Sequence, residues 1–433
     1  MTERNLDLSD GILGYIENSE DTYVEFLKKL VRTDTTIIDA GYGGGNEEAG
    51  QKIILEFLRQ IGCETEVFEP DNESMSRYPD LNPGHPYQNR PNVVGILRGN
   101  GGGRSLILNG HIDTMPVTDR ELWQHDPFGG EISKGRLYGR GATDMKGGLA
   151  AGLCAVQALR ECGVALCGDV IVQSVVDEEG GGNGTLACVE RGYAADGAIV
   201  LEPTDMEIVV AGMGWVFYEV EVEGLATHAG SKWKGINAIE KCMRIAEELR
   251  ELERRWLMTY RHPFLPGPTI NIGKIVGGEG ASTVPAGCVM TVGAHYQPSQ
   301  SDEEGYWNLV EGELLDRIDS VALGDSWLKD RKPKVSRIQQ GTPHELNAGH
   351  PLVSVLKEGI LRVTWKLPGV GGVGYGCDAR LLSNLAHVPT AVFGPGEPVQ
   401  AHRRDESIDI ADYLGAIGAI ALTIMDWCGV AET

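Results

Sequence analysis

Apolar positions change their period twice along this chain. Over residues 7–33, Tyr23, Phe26, Leu27 and Leu30 fall at helical spacing and predict one or two amphipathic helices. Residues 47–61 repeat the pattern and stop at Gly62. A strand is predicted at 63–68, then an irregular excursion over 69–91, rich in Pro, Asn and Asp. Strands follow at 92–97 and 105–108, a helix at 146–161, and near-continuous apolar strands at 169–176 and 198–201. Strands alternating with helices predict an α/β fold, a mixed and mostly parallel sheet covered by helices on both faces.

After about residue 206 the period shortens to two. Over 208–222, Tyr218, Val220 and Val222 alternate with Glu219, Glu221 and Glu223, as in a half-exposed antiparallel strand. A charged helix at 237–255, strands at 269–276 and 289–296, and a helix at 303–318 complete a β-α-β-β-α module. The α/β texture returns after about 339, with helices at 350–364 and 410–427, a Gly-rich stretch at 369–376 and a strand at 390–393. The pattern predicts a discontinuous domain, 1–206 with 339–433, around an inserted α+β domain at 207–338.

Composition narrows the function. The 433 residues suggest two domains, and 42% apolar content is enough for a substantial core. With 38 basic against 62 acidic residues the net charge is −24, which argues against nucleic-acid and anionic-membrane partners. Nine cysteines show no zinc-finger spacing, and several lie in apolar runs, as Cys154 does. They predict free thiols in a reducing compartment. The polar N-terminus lacks a signal-peptide pattern, and no apolar run approaches the ~20 residues that cross a bilayer. The expectation is a cytoplasmic protein.

Five positions sit in loop-like settings after predicted strands: His111 with Asp113, Asp144, Glu178-Glu179, Glu202 and His402. Open α/β sheets place their sites at the carboxyl ends of strands. A His/carboxylate set without thiolates suits Zn²⁺, Mn²⁺ or Co²⁺. Each position also has an ordinary reading. His111 with Asp113 is a common polar pair, Asp144 a helix N-cap, Glu178-Glu179 an acidic turn, Glu202 a loop entry and His402 a surface imidazole. Those readings are independent, whereas a metal site explains all five together.

The motifs Asn109-Gly-His-Ile-Asp113, Gly139-Arg-Gly-Ala-Thr-Asp-Met-Lys-Gly-Gly148, Asp177-Glu-Glu179, Glu202-Pro-Thr204 and Phe393-Gly-Pro-Gly396 with His402 resemble the acetylornithine deacetylase / succinyl-diaminopimelate desuccinylase / glutamate carboxypeptidase family. The resemblance runs from about residue 22 to 425. It implies a zinc-peptidase-like catalytic domain with an inserted lid or dimerisation domain, and a homodimer through 207–338. It implies two divalent ions, Zn²⁺ by default. His111 and Glu202 would hold one ion, Glu179 and His402 the other, with Asp144 between them. Asp113 would hold the His111 ring, Glu178 would be the general base, and the Asp144–Met145 peptide would be cis. It also implies that His228 stabilises the oxyanion and that Asn271 contacts substrate.

One departure bears on substrate. Many relatives carry a carboxylate-binding Arg where this chain has His295. Arg380 is an alternative anion binder, or else an ion-pair partner of Asp378. The expected activity is hydrolysis of an amide-type C–N bond in a small N-acylated molecule, by default an N-acyl amino acid. The alternatives are a carboxypeptidase or dipeptidase, a hydrolase of an unusual amine or formamide, and a metal-dead binding module. The last is disfavoured because every ligand position and the base are filled.

Overall fold

The computed structural model describes residues 3–38, 44–82 and 85–431. Residues 83–84 of the expected excursion, and 1–2, 39–43 and 432–433 of the expected catalytic segments, lie outside them. The chain forms two compact units: Met1–Val210 with Leu346–Gly371 and Cys377–Thr433, and Ala211–Glu345 with Gly372–Gly376. The boundaries fall a few residues from 206 and 339. The alternating run at 208–222 is two strands, Ile208–Gly212 and Gly214–Glu223, which join different sheets on either side of Met213.

The large sheet runs in the order Glu64–Phe68, Asn92–Leu97, Val170–Val175, Leu106–His111, Ala198–Val200, Thr390–Val392, Ile208–Gly212. The four strands from Val170–Val175 to Thr390–Val392 are mutually parallel, and their outer neighbours are antiparallel. These four strands are buried at every position, which explains their near-continuous apolar sequences. Residues 7–33 lie on two helices, Glu3–Asn18 and Glu20–Val31. A three-stranded sheet of Glu131–Ser133, Arg136–Tyr138 and Ser407–Asp409 escaped the sequence reading, because three residues are too few to show a period.

Helix Ile410–Cys428 corrects one expectation. It is long and apolar enough to cross a membrane by length and composition. Here it packs against helices Lys146–Glu161 and Pro351–Thr364, so its apolarity reflects a place in the core.

In the second unit the sheet order is Thr269–Gly277, Gly287–Tyr296, Gly214–Glu223, Lys334–Gly341, antiparallel throughout. Val216, Tyr218, Val220 and Val222 form a core with residues of helices Ala238–Thr259 and Asn308–Leu323, among them Leu249, Trp256 and Leu314. Strand Gly214–Glu223, which carries the alternating run Tyr218–Val222, is interior and paired on both sides. One edge is Thr269–Gly277, where Ile275 and Val276 are exposed. The second helix starts at Asn308 rather than near 303, because Asp302 Oδ1 accepts from Glu304 N and Tyr306 N and holds a turn there.

Candidate metal centre

The carboxyl ends of the four parallel strands deliver most of the candidate groups. Leu106–His111 ends in His111 and continues to Asp113. Val170–Val175 leads to Glu178-Glu179, Ala198–Val200 to Glu202, and Thr390–Val392 to the loop carrying His402. Asp144 comes from the turn entering helix Lys146–Glu161. Gly148 lets that helix approach the neighbouring chain: a Cβ there would lie 1.8 Å from Leu201 O. The Asp144–Met145 peptide is cis.

Asp144 stands between two imidazoles. Its Oδ1 is 3.2 Å from His111 Nε2, and its Oδ2 is 3.3 Å from His402 Nε2. His111 Nε2 lies 3.8 Å from Glu202 Oε1 and 4.0 Å from Glu178 Oε2. His402 Nε2 is 3.0 Å from Glu179 Oε2. Glu178 and Glu179, adjacent in sequence, therefore address different imidazoles. The groups fall into two clusters that share Asp144, His111–Asp144–Glu202 and Asp144–Glu179–His402, each with ligand atoms within 4.8 Å of one another. His111 is buried, whereas the His402 side chain is half exposed, so the site opens at His402.

The charge balance of this cluster is extreme. Burial, reinforced by Glu202, pushes Glu178 well above the usual carboxylate range. Burial also raises Glu202, against the pull of His111. Burial works to raise Asp144, but its hydrogen bonds with His111 and His402 hold it well below the usual range. Hydrogen bonds to Asp144 and Glu179 raise His402 to about 10. At His111, burial acts to lower the pKa, but Asp113, Asp144, Glu202 and Glu178 outweigh it and raise it strongly. Buried carboxylates in such excess need compensating cations. Two divalent ions fit this imidazole and carboxylate donor set.

The shell behind the cluster differs from expectation. His111 Nδ1 donates to the main-chain O of Asp113 at 2.9 Å, while the Asp113 carboxylate is 3.6 Å away. That carboxylate instead accepts from Glu178 N and Glu179 N, at 3.3 and 3.1 Å. Asp113 thus orients the imidazole through its backbone and the glutamate turn through its side chain. Glu406, which the sequence reading missed, accepts from Thr143 N and Asp144 N at 2.9 and 3.0 Å. Arg140 pairs with it at 2.7 Å, both side chains being almost wholly buried. Replacing Arg140 with Ala leaves Glu406 buried without its partner. This is expected to cost about 3–5 kcal/mol in urea unfolding, and an unchanged midpoint would refute it.

Arg380 follows Asp378 by two residues, on helix Ala379–Asn384. It is buried, pairs with Asp80 Oδ1 at 2.6 Å and donates to Gly181 O at 2.7 Å. Asp378 accepts from Thr185 Oγ1 at 2.6 Å, and that bond together with the Arg380 charge offsets part of the rise that burial causes in its pKa. Residues 300 apart give no local sign of pairing. His228, Asn271 and His295 belong to the second unit. His228 is exposed and its Nδ1 accepts from Gly230 N at 3.1 Å. Asn271 is exposed on Thr269–Gly277 opposite Gly293. His295 is half-buried, its ring edge-on to Phe217 at 5.8 Å, and burial lowers its pKa.

A parallel α/β sheet whose strand ends present two imidazoles and four carboxylates, joined to a separate antiparallel α+β unit, defines a metal-dependent hydrolase. Residues 107–426 match the model of Peptidase family M20/M25/M40, and the chain belongs to that family, whose members generally bind two divalent ions. The protein is an M20 metallohydrolase acting on C–N bonds. It is 32% identical over 439 residues to the N-formyl-4-amino-5-aminomethyl-2-methylpyrimidine deformylase of Bacillus subtilis, covering 95% of this chain and 96% of that one. It is 28% identical to the acetylornithine deacetylase of Proteus mirabilis, covering 90% and 92%. Its fold matches the dipeptidase Dug1p of Saccharomyces cerevisiae with a TM-score of 0.75 at 16% identity, over 97% of this chain and 98% of that one.

Proposed function

We propose that this protein is a deformylase, which hydrolyses the formamide of a small N-formylated amine to formate and the free amine. The observation that carries the reading is its similarity, along almost the whole of both chains, to the Bacillus subtilis deformylase. The acetylornithine deacetylase type, the default reading of the motifs, has weaker support, at 28% identity to the Proteus mirabilis enzyme and 30% to that of Erwinia tasmaniensis, against 32% for the deformylase. His295 agrees with the formamide reading. Where the family resemblance implies a guanidinium that would grip a carboxylate bidentately, this chain has a half-buried imidazole whose pKa burial lowers.

His111, Asp144 and Glu202 would hold one ion, and Asp144, Glu179 and His402 the other, with Zn²⁺ the expected metal. Such ions supply Lewis acidity toward the scissile carbonyl and the attacking water. Glu178 is the residue left to move protons. It is largely buried, and its raised proton affinity suits a group that takes a proton from water and returns it to the leaving nitrogen. Asp113 fixes the backbone from which Glu178 and Glu179 project.

A panel of N-formyl, N-acetyl and N-succinyl amines with dipeptides tests the reading. The expected result is the highest kcat/KM on an N-formylated amine lacking an α-carboxylate. Preference for N-acetylornithine or a dipeptide would overturn it. We further propose a homodimer, supported by the exposed Ile275 and Val276 on the edge strand of the second unit. A monomer mass by light scattering at micromolar concentration would exclude it.

A further inference from the structure

Residues 69–91 read in sequence as an irregular excursion without a role. In the structure, Asn82, His85, Tyr87 and Arg90 pack against the turn that carries Glu178 and Glu179. That turn starts at Asp177, whose φ of 66° lies in the left-handed region that few residues other than glycine adopt. Gly182 N donates to Asp177 O at 2.9 Å and Gly181 N to Glu178 O at 2.8 Å. Asp113 holds the Glu178 and Glu179 amides.

The fully buried Asp177 carboxylate takes three donors from the excursion. His85 Nδ1 and Tyr87 Oη lie 2.7 Å from its two oxygens, and Arg90 Nη2 lies 3.0 Å away. The Tyr87 hydroxyl accepts from Asn183 Nδ2 at 2.6 Å, which turns its own proton toward Asp177. Arg90 is itself held by Glu47 at 2.6 Å. Asn82 adds a bond from its Nδ2 to Gly181 O at 3.0 Å. The fit is close: a Cβ at Gly180 would lie 2.5 Å from His85 Cε1 and 2.6 Å from Asp177 Oδ1.

We infer that His85, Tyr87 and Arg90 are positioning residues for the hydrolysis, acting through Asp177 to fix the turn that aims Glu178 and Glu179. The inference rests on the roles given to those glutamates in the proposed function. Partners behind a metal centre typically contribute 10–100-fold to metal affinity or activity, although they touch neither ion nor substrate.

The test uses the full-length protein with Tyr87→Phe, His85→Ala, the conservative His85→Gln, and Gly180→Ala. Zn²⁺ affinity is measured by chelator competition, kcat and KM on the best formamide of the panel, and Tm alongside. Tyr87→Phe, His85→Ala and Gly180→Ala are expected to lower kcat roughly 10–100-fold with KM little changed, and to weaken Zn²⁺ binding. His85→Gln, which keeps a donor, is expected to recover most of the loss. A lowered Tm with unchanged kcat and Zn²⁺ affinity would overturn the inference. Should Tyr87→Phe fail to fold, the His85 pair decides, because that imidazole is 28% exposed and tolerates change. Glu178→Gln run in parallel separates the two readings. If it retains turnover, the base assignment fails, and Zn²⁺ affinity alone then decides whether the excursion positions Glu179.

Discussion

Glu178→Gln is expected to lower kcat by roughly 10²–10⁴-fold while the protein keeps its metal content and fold. The argument is geometric. Glu179, not Glu178, meets His402, at 3.0 Å, whereas Glu178 approaches no imidazole closer than 4.0 Å. Glu179 and Glu202 each complete one of the two ligand clusters and Glu178 belongs to neither, so this buried carboxylate beside the donor sets suits proton exchange rather than ion binding. Gln preserves the volume and removes the titrating group. Elemental analysis and steady-state kinetics on the same sample check both halves. Loss of metal together with turnover would make Glu178 a ligand, and undiminished kcat would place the base elsewhere.

Asp144→Ala is expected to be more damaging to metal binding than loss of any other single ligand. Asp144 alone belongs to both clusters, with one oxygen near His111 and the other near His402. Removing it takes a donor from each ion and leaves Glu178, Glu179 and Glu202 to repel one another without a shared cation. Activity is expected to fall by well over the roughly 100-fold typical of losing an outer partner, with metal content below that of His402→Ala. Equal metal content in the two variants would show that Asp144 serves only one cluster.

Much of this candidate site was legible because the groups that converge there follow recognisable local signals. His111 closes a continuous apolar run that proved to be a fully buried parallel strand. Glu202 and the Glu178-Glu179 pair follow two more such strands. The alternation at Tyr218, Val220 and Val222 likewise marked the face that packs on helices. Alternation reports which face is buried, however, and not which strands lie alongside. Hence Gly214–Glu223 turned out to be flanked on both sides. What stayed hidden were long-range polar pairs. Glu406 with Asp144, Asp80 with Arg380 and His85 with Asp177 are 262, 300 and 92 residues apart. Such contacts leave no period in the sequence, because they form only when strand ends and irregular segments converge. The same holds for Asp113, where both backbone and side chain were within reach of useful work and only the fold chose between them.

The most direct test of a metal centre that cleaves C–N bonds is reconstitution. Protein stripped by a chelator is titrated with Zn²⁺ while formate release from an N-formylated amine is followed. The account predicts no turnover in the stripped protein and activity that rises until two ions are bound per chain. Full turnover by the stripped protein, or saturation of activity with no ion bound, would contradict it.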